Sequence, residues 1–390
     1  MSGFPVFASR RVRATPFTPR VEAAGLSAYT VYNHMLLPSS FASLEEDCAH
    51  LKRAVQIWDV SVERQVQLKG PDAKKLATLM SARNLSKAVP GKGYYTPICQ
   101  ADGGMLNDPI ALCIAEDVFW FSIADSDMLL WAAGLAHAYG MDVEVSEPDV
   151  SPLAVQGPLA QSVMAEIFGD AITALKFFAF DYFDWRGHKL MIARSGWSKQ
   201  GGFEIYLHDS TLGLQLWDDI WEVGSAYDMR AGCPNLIERI EGGLLSYGND
   251  MTREDTPLEC GLEKFCSLDS DHDFIGKKAL LAQRETGLKK QITGLIIEGE
   301  KIAPIAKIAP CFKAGEKCGF VTSAVFSPDF DLNLGLAMLA SEQVEDDQKI
   351  DDAIEVEIDG KMRKARLTSL PFKPKAKLRG LKAGRRTGQR

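Results

Sequence analysis

Thirteen consecutive residues hold the densest chemistry in this chain: Arg194-Ser195-Gly196-Trp197-Ser198-Lys199-Gln200-Gly201-Gly202-Phe203-Glu204-Ile205-Tyr206. They set a carboxylate, aromatic rings and a cation beside a Gly-rich bend. Glycine serves where the backbone needs φ > 0 or where a ligand must come close. Glu204 and Tyr206 stand two apart in an alternating run, so a strand points both to one face. A carboxylate beside an aromatic ring can hold a polar heterocycle or a cation. The plain alternative is a hairpin with an exposed Glu.

Three more segments could carry chemistry. In Gly103-Gly104-Met105-Leu106-Asn107-Asp108-Pro109, Asp108 follows a tight turn and enters a strand, where a rigid sheet would hold its carboxylate. Its plain alternative is an Asp that satisfies turn amides. The second runs from Arg239 through Glu241, Tyr247 and Asp250 to Thr256-Pro257-Leu258-Glu259; taken plainly, it is a helix end with surface charges. The third is Gly319-Phe320-Val321-Thr322-Ser323 with Ser327-Pro328, which reads as a turn in a barrel.

The elements that must position these residues follow from periodicity. Ser43 and Glu46 make a capping box before a helix predicted from Leu44 to about Val55. Val66 to Gly70 alternates as a strand, and Asp72 caps a helix to about Met80. Gly93 to Cys99 reads as a strand, Asp102-Gly103-Gly104 as a hairpin turn, and strands follow at Ile110 to Ile114 and Val118 to Ile123. Asp125 or Ser126 caps a helix to about Ala138. From Ser151 come a helix at Leu159 to Ile167, strands at Phe177 to Trp185 and Leu190 to Ser195, and helices at Leu212 to Gly224 and Ile237 to Leu245. Beyond Gln291 the texture turns to short apolar strands, with Asp359-Gly360 as a hairpin signal. The expected class is α+β, with a mostly antiparallel sheet and a C-terminal β-barrel or sandwich. The expected divisions are 1–150, an N-terminal folate or substrate domain that could be discontinuous; 151–287; the barrel-like 288–372; and a basic tail, 373–390.

Composition sets limits on function. The chain has 390 residues, 46% hydrophobic and 25% charged, as an ordinary globular protein does, and its length suits more than one domain. No apolar run reaches the roughly 18 residues of a membrane span. Met1 to Arg20 lacks an apolar core, so no secretory signal is expected and the cytoplasm is the expected location. Eight cysteines without a C-x-x-C pair, and six scattered histidines, predict reduced thiols and no metal. Net charge is −8, yet Lys373 to Arg390 holds eight basic residues and no acidic one, so the rest is more acidic still. An acidic body argues against nucleic acid as the partner. No G-x-G-x-x-G loop after a strand and no Walker A loop is present. Composition leaves a homodimer open.

The four segments, in this order, resemble the folate-dependent aminomethyltransferase superfamily, typified by the T-protein of glycine cleavage. The matching stretches are Gly103 to Asp108, Arg194 to Glu204, Arg239 to Glu259 and Gly319 to Pro328, and the resemblance covers about residues 30 to 340. It implies a three-domain cloverleaf that binds tetrahydrofolate. Thr15 to Glu22, Tyr29 to Pro38, Val55 to Val60, Ile123 to Asp127 and Ser195 to Gly202 are similar to the dimethylsulfoniopropionate demethylases of marine bacteria. The chain departs from the T-protein pattern at Trp197 and at Lys199-Gln200, in agreement with that branch.

The resemblance implies transfer of a methyl group from a dimethylsulfonium to N5 of tetrahydrofolate. It implies that Glu204 pairs with the pterin's aminopyrimidine edge and that Asp108 lies by the transfer path, orienting the amine. Arg239 would anchor the folate and Tyr247 would line the pterin wall. Aromatic faces suit a soft cation, so Trp197 and Tyr206, then Tyr32 and Tyr95, are the expected cage. Lys199 or Arg64 would meet the substrate carboxylate. The rivals are another methyl or aminomethyl donor on the same fold, or a non-catalytic folate binder with a reactive cysteine, for which Cys260 and Cys266 are the candidates.

Overall fold

The computed structural model describes residues 6–345 and 354–373. All of the basic tail except Lys373 lies outside these residues. The chain forms two compact units: one holds the chain to Asn235 together with Ser246–Leu288, the other Leu236–Leu245 together with the chain from Lys289.

The first unit is built on two larger sheets. One has six strands in the order Phe180–Trp185, His188–Ala193, Gly202–Leu207, Ser151–Gln156, Val55–Asp59 and Met229–Gly232. Only its last pairing is parallel. The other has five strands in the order Glu144–Ser146, Gln65–Lys69, Val118–Ser122, Ile110–Ala115 and Lys92–Tyr95, all antiparallel. Each sheet buries one face under its own helices. Phe203, Ile205 and Leu207 join Val163, Leu216 and Ile220 in one core; Phe119 and Phe121 join Leu76, Met80 and Ala132 in the other. The opposite faces meet in a smaller cluster of Leu112, Trp120, Phe180, Met191, Ala193 and Tyr206. Side chains alternate along a strand, so Glu204 follows Tyr206 to this shared layer and Ser122 follows Trp120.

The second unit contains a closed barrel of Lys290–Ile297, Leu332–Ala340, Glu316–Ser327, Ala309–Lys313, Ile354–Ile358 and Lys361–Thr368. Leu295, Val321, Ala337, Leu339 and Val356 fill it. Asp359 and Gly360 both have positive φ, as the tight hairpin between its last two strands requires. The α+β class is as expected, and closure decides the C-terminal part for a barrel over a sandwich.

Several boundaries differ from the sequence expectation. Ser43 caps its helix as predicted, accepting from the Glu46 amide, but the helix stops at Leu51. Val55, expected to finish it, opens a wholly buried strand with a partner on each side. Pairing in the middle of a sheet outweighs the helical spacing of one valine. The predicted strand Gly93 to Cys99 is two strands, broken at Thr96-Pro97. Neither Asp125 nor Ser126 caps the following helix, which begins at Met128 after Asp127. Asp125 accepts from the Asn33 amide (2.9 Å), and the Ser126 hydroxyl accepts from Asn107 Nδ2 (2.7 Å). The hairpin Ala28–Tyr32/Met35–Ser40 carried no clear turn signal, since its left-handed turn is made by Asn33 and His34 and not by glycine.

Candidate active site

Glu204 sits on a central strand between Ser151–Gln156 and His188–Ala193, opposite Ala154 and Ala193. Glu204 is 8% exposed, and its carboxylate accepts from Ser195 Oγ (2.5 Å) and from the Tyr206 hydroxyl (3.3 Å). The Tyr206 phenol also meets the Ser122 hydroxyl. Ser122 Oγ in turn lies 3.3 Å from Glu63 Oε2 and accepts from Gln65 Nε2 at 3.0 Å. One hydrogen-bonded line therefore runs Ser195, Glu204, Tyr206, Ser122, Glu63.

Asp108 lies between the strands Met105–Asn107 and Ile110–Ala115, in the segment expected to hold it. Its Oδ2 accepts from the Tyr95 hydroxyl at 3.0 Å, and Tyr95 is braced edge-on by Phe265 at 4.6 Å. Tyr247 donates to the Met105 carbonyl (3.1 Å), at the start of the same turn. Tyr32 ends its strand beside the left-handed Asn33, whose buried amide donates to the Val62 (2.9 Å) and Ile123 (3.2 Å) carbonyls. That clamp seats the hairpin tip against the crossover between the two sheets, and Tyr32 is held near Glu63 and Asp108.

Glu63, Asp108 and Glu204 thus share one neighbourhood. Burial pushes the Glu63 carboxyl up to about 8, with Glu204 and Asp108 adding repulsion. Burial raises Asp108 to about 7 against the Tyr95 hydrogen bond, and raises Glu204 against Ser195 and Tyr206. Among the described residues no lysine or arginine forms an ion pair with any of the three. Three acids gathered without a cation favour a ligand that brings positive charge or N–H donors.

The Gly-rich loop carries Trp197, partly exposed, and Lys199, exposed with φ 57°. Its glycines make room for a protein group, the Gln156 side chain. Gln156 Nε2 donates to the Ser195 and Phe203 carbonyls (3.2 and 3.4 Å), and its Oε1 accepts from Ser198 Oγ at 2.8 Å. A Cβ at Gly196 would stand 2.1 Å from Gln156 Oε1. At Gly202 (φ 157°) it would stand 2.4 Å from the Val155 carbonyl oxygen and 2.5 Å from Gln156 Nε2. We expect Gly202→Ala to lower stability by about 3 kcal/mol, from backbone collision and strain, read as a fall in denaturation midpoint.

Six of the sequence-chosen residues come together here: Tyr32, Tyr95, Asp108, Glu204, Tyr206 and Tyr247. Lys199 forms no ion pair with the acids, and Arg64 is engaged elsewhere, donating Nε to Glu147 Oε1 at 2.9 Å. Arg239 belongs to the second unit, where its Nη2 donates to Ser323 Oγ at 2.7 Å. Sequence reading missed Glu63, Ser122 and Ser195. The available signal for Glu63 was an acid beside the apolar Val60 and Val62 in the crossover from Trp58 to Val66. Cys260 is buried, and burial pushes the Cys266 thiol up to about 12, aided by Glu263. Neither is the electropositive, exposed thiol that a reactive cysteine needs.

A unit of two mostly antiparallel sheets bearing a carboxylate cluster, together with a closed C-terminal barrel, defines the class. The chain belongs to the glycine cleavage T-protein family: the GCVT N-terminal domain matches residues 17–270 and the glycine cleavage T-protein C-terminal barrel domain matches 290–373. It is 53% identical over 334 residues to the dimethylsulfoniopropionate demethylase of Ruegeria pomeroyi, covering 86% of this chain and 91% of that one. It is 31% identical over 344 residues to the aminomethyltransferase of Bacillus subtilis, covering 86% and 92%. The crystal structure of the glycine cleavage aminomethyltransferase T of Bartonella henselae superposes with a TM-score of 0.81 at 23% identity, covering 92% of this chain and 98% of that one; this likeness bears on the fold alone.

Proposed function

We propose that this chain is a tetrahydrofolate-dependent demethylase that moves a methyl group from dimethylsulfoniopropionate to N5 of tetrahydrofolate. The products are methylmercaptopropionate and 5-methyltetrahydrofolate. The observation that carries this reading is the group of three acids without a paired cation, ringed by tyrosines, in a chain 53% identical to a demethylase of that substrate.

The residues suit both small molecules. Glu204 offers a buried carboxylate held by two hydroxyls, matching the N–H donors of an aminopyrimidine edge. Asp108, braced by Tyr95, serves as the catalytic carboxylate that orients the N5 amine and stabilises the charge building there. Tyr247 lines the pterin. Trp197, Tyr32 and Tyr95 supply aromatic surface for the sulfonium, and Lys199 takes its carboxylate; Tyr206, expected in the cage, is buried at 1% exposure in the layer between the sheets and serves by holding Glu204.

A sulfonium methyl is already electrophilic and departs from a neutral thioether, so no strong acid is needed. The N5 lone pair forms the new C–N bond, the S–C pair returns to sulfur, and the N5 proton passes to solvent as the products leave. What the protein supplies is alignment at near-attack distance, away from water. No helix among the described residues is long and apolar enough to cross a membrane.

The test is an anaerobic incubation of protein, tetrahydrofolate and dimethylsulfoniopropionate, with both products read by mass spectrometry. Both products are expected. Neither product, from protein shown to bind tetrahydrofolate, overturns the sulfonium assignment.

A further inference from the structure

We propose that Glu63 determines specificity for a cationic donor: its carboxylate is the counter-charge that separates a sulfonium from a neutral molecule of the same shape. The inference rests on the sulfonium reading above.

Glu63 is delivered to the site by a rigid crossover. Asp59 accepts from the Ser61 amide (3.1 Å) and hydroxyl (2.7 Å) and from Thr15 Oγ1 (2.5 Å). The Glu63 amide donates to the Val60 carbonyl (2.9 Å), and its own carbonyl accepts from Gln65 Nε2 (2.6 Å). The backbone is therefore held on both sides of the residue. The neighbouring Arg64 pairs with Glu147 and supplies Glu63 with no cation. The carboxylate keeps one long contact, to Ser122 Oγ at 3.3 Å.

The groups that face Glu63 carry no positive charge. They are Asp108 from the turn after Met105–Asn107, Glu204 and Tyr206 from Gly202–Leu207, and Tyr32 from the hairpin tip. In the reading above, Glu204 meets the pterin edge and Asp108 meets N5. Glu63 is left over, beside Tyr32 of the aromatic set and the buried Tyr206. A sulfonium has no N–H to donate and no proton to lose. Only opposite charge and aromatic faces can tell it from its carbon isostere. Methyl transfer turns it into a neutral thioether, so the same attraction vanishes in the product and favours release.

The experiment compares dimethylsulfoniopropionate with 4-methylpentanoate, which has a CH in place of the sulfonium sulfur. Dissociation constants are measured with tetrahydrofolate present, for wild type and Glu63→Gln. Wild type is expected to prefer the cation. In Glu63→Gln, sulfonium affinity should fall by about 10-fold to 100-fold, the size of one to two pKa units of charge interaction, while the isostere binds as before. Wild-type sulfonium affinity should also rise with pH up to about 8, because the counter-charge appears only when the Glu63 proton leaves. Glu63→Gln should lose the part of that dependence centred near 8, keeping only what Asp108 and Glu204 contribute. Glu63→Asp should recover part of the preference. Equal losses for both molecules, or an unchanged preference with normal wild-type turnover, overturn the role of Glu63 alone. A wild type that binds tetrahydrofolate but neither binds nor demethylates the sulfonium overturns the reading beneath it.

Discussion

Asp108→Asn should lower kcat by about 10²-fold to 10³-fold, the usual cost of removing one group aimed at developing charge. The substitution keeps the side-chain shape, and the amide oxygen can still accept from the Tyr95 hydroxyl, now 3.0 Å from Oδ2. Folding and tetrahydrofolate binding should therefore stay near wild type, which a thermal scan and a folate titration would check. The charge is what disappears. Burial raises the wild-type carboxyl to about 7, so it is largely protonated below that pH and ionised above it. If the carboxylate form works, wild-type kcat rises with pH through about 7, and the Asn variant shows no such limb. Tyr95→Phe removes a donor that favours the ionised form, so it should move the limb to higher pH. A pH-independent loss in Asp108→Asn, with the wild-type limb unchanged in Tyr95→Phe, would contradict this assignment.

The second large effect is expected at Glu204. Glu204→Gln should weaken tetrahydrofolate binding by about 100-fold, close to 2.8 kcal/mol at 1.4 kcal/mol per tenfold. The amide brings one N–H₂ group into a position where Ser195 and Tyr206 already donate and where the pterin edge would donate too. One donor must then face another. Stability should not fall in step. Burial raises the Glu204 carboxyl, so the folded chain keeps a proton that the unfolded chain releases at its ordinary value. Stability from this group therefore falls as pH rises above that ordinary value, and glutamine removes the loss. A denaturation midpoint at pH 8 no lower than wild type, beside a large rise in folate dissociation constant, is the expected pair of results. Normal folate affinity would move pterin recognition elsewhere.

Much of this site was legible because its residues lie in short segments of strong local pattern. Strand alternation placed Glu204 and Tyr206 on one face, and the structure has them so, with Phe203, Ile205 and Leu207 in the opposite core. The Gly103-Gly104 turn gave Asp108 its position at a strand end, and the Ser43 cap was readable from its spacing to Glu46. The ordered segments also pointed to the family, which the domain matches bear out.

Tertiary structure decided the rest. Val55–Asp59 is a strand because both its edges find partners, at Ser151–Gln156 and Met229–Gly232, nearly 100 and more than 170 residues away in sequence. Closure of the barrel depends on Lys290–Ile297 meeting Lys361–Thr368, the first and last of its strands. The purpose of Gly196 and Gly202 became visible only once Gln156 lay against them. Glu63 looked like an ordinary acid in a crossover until Ser122, Glu204 and Asp108 arrived from three other segments. Local sequence determined which way each strand turns its side chains; only long-range pairing decided which carboxylates share a site, because their mutual repulsion and desolvation exist only after the sheets have packed.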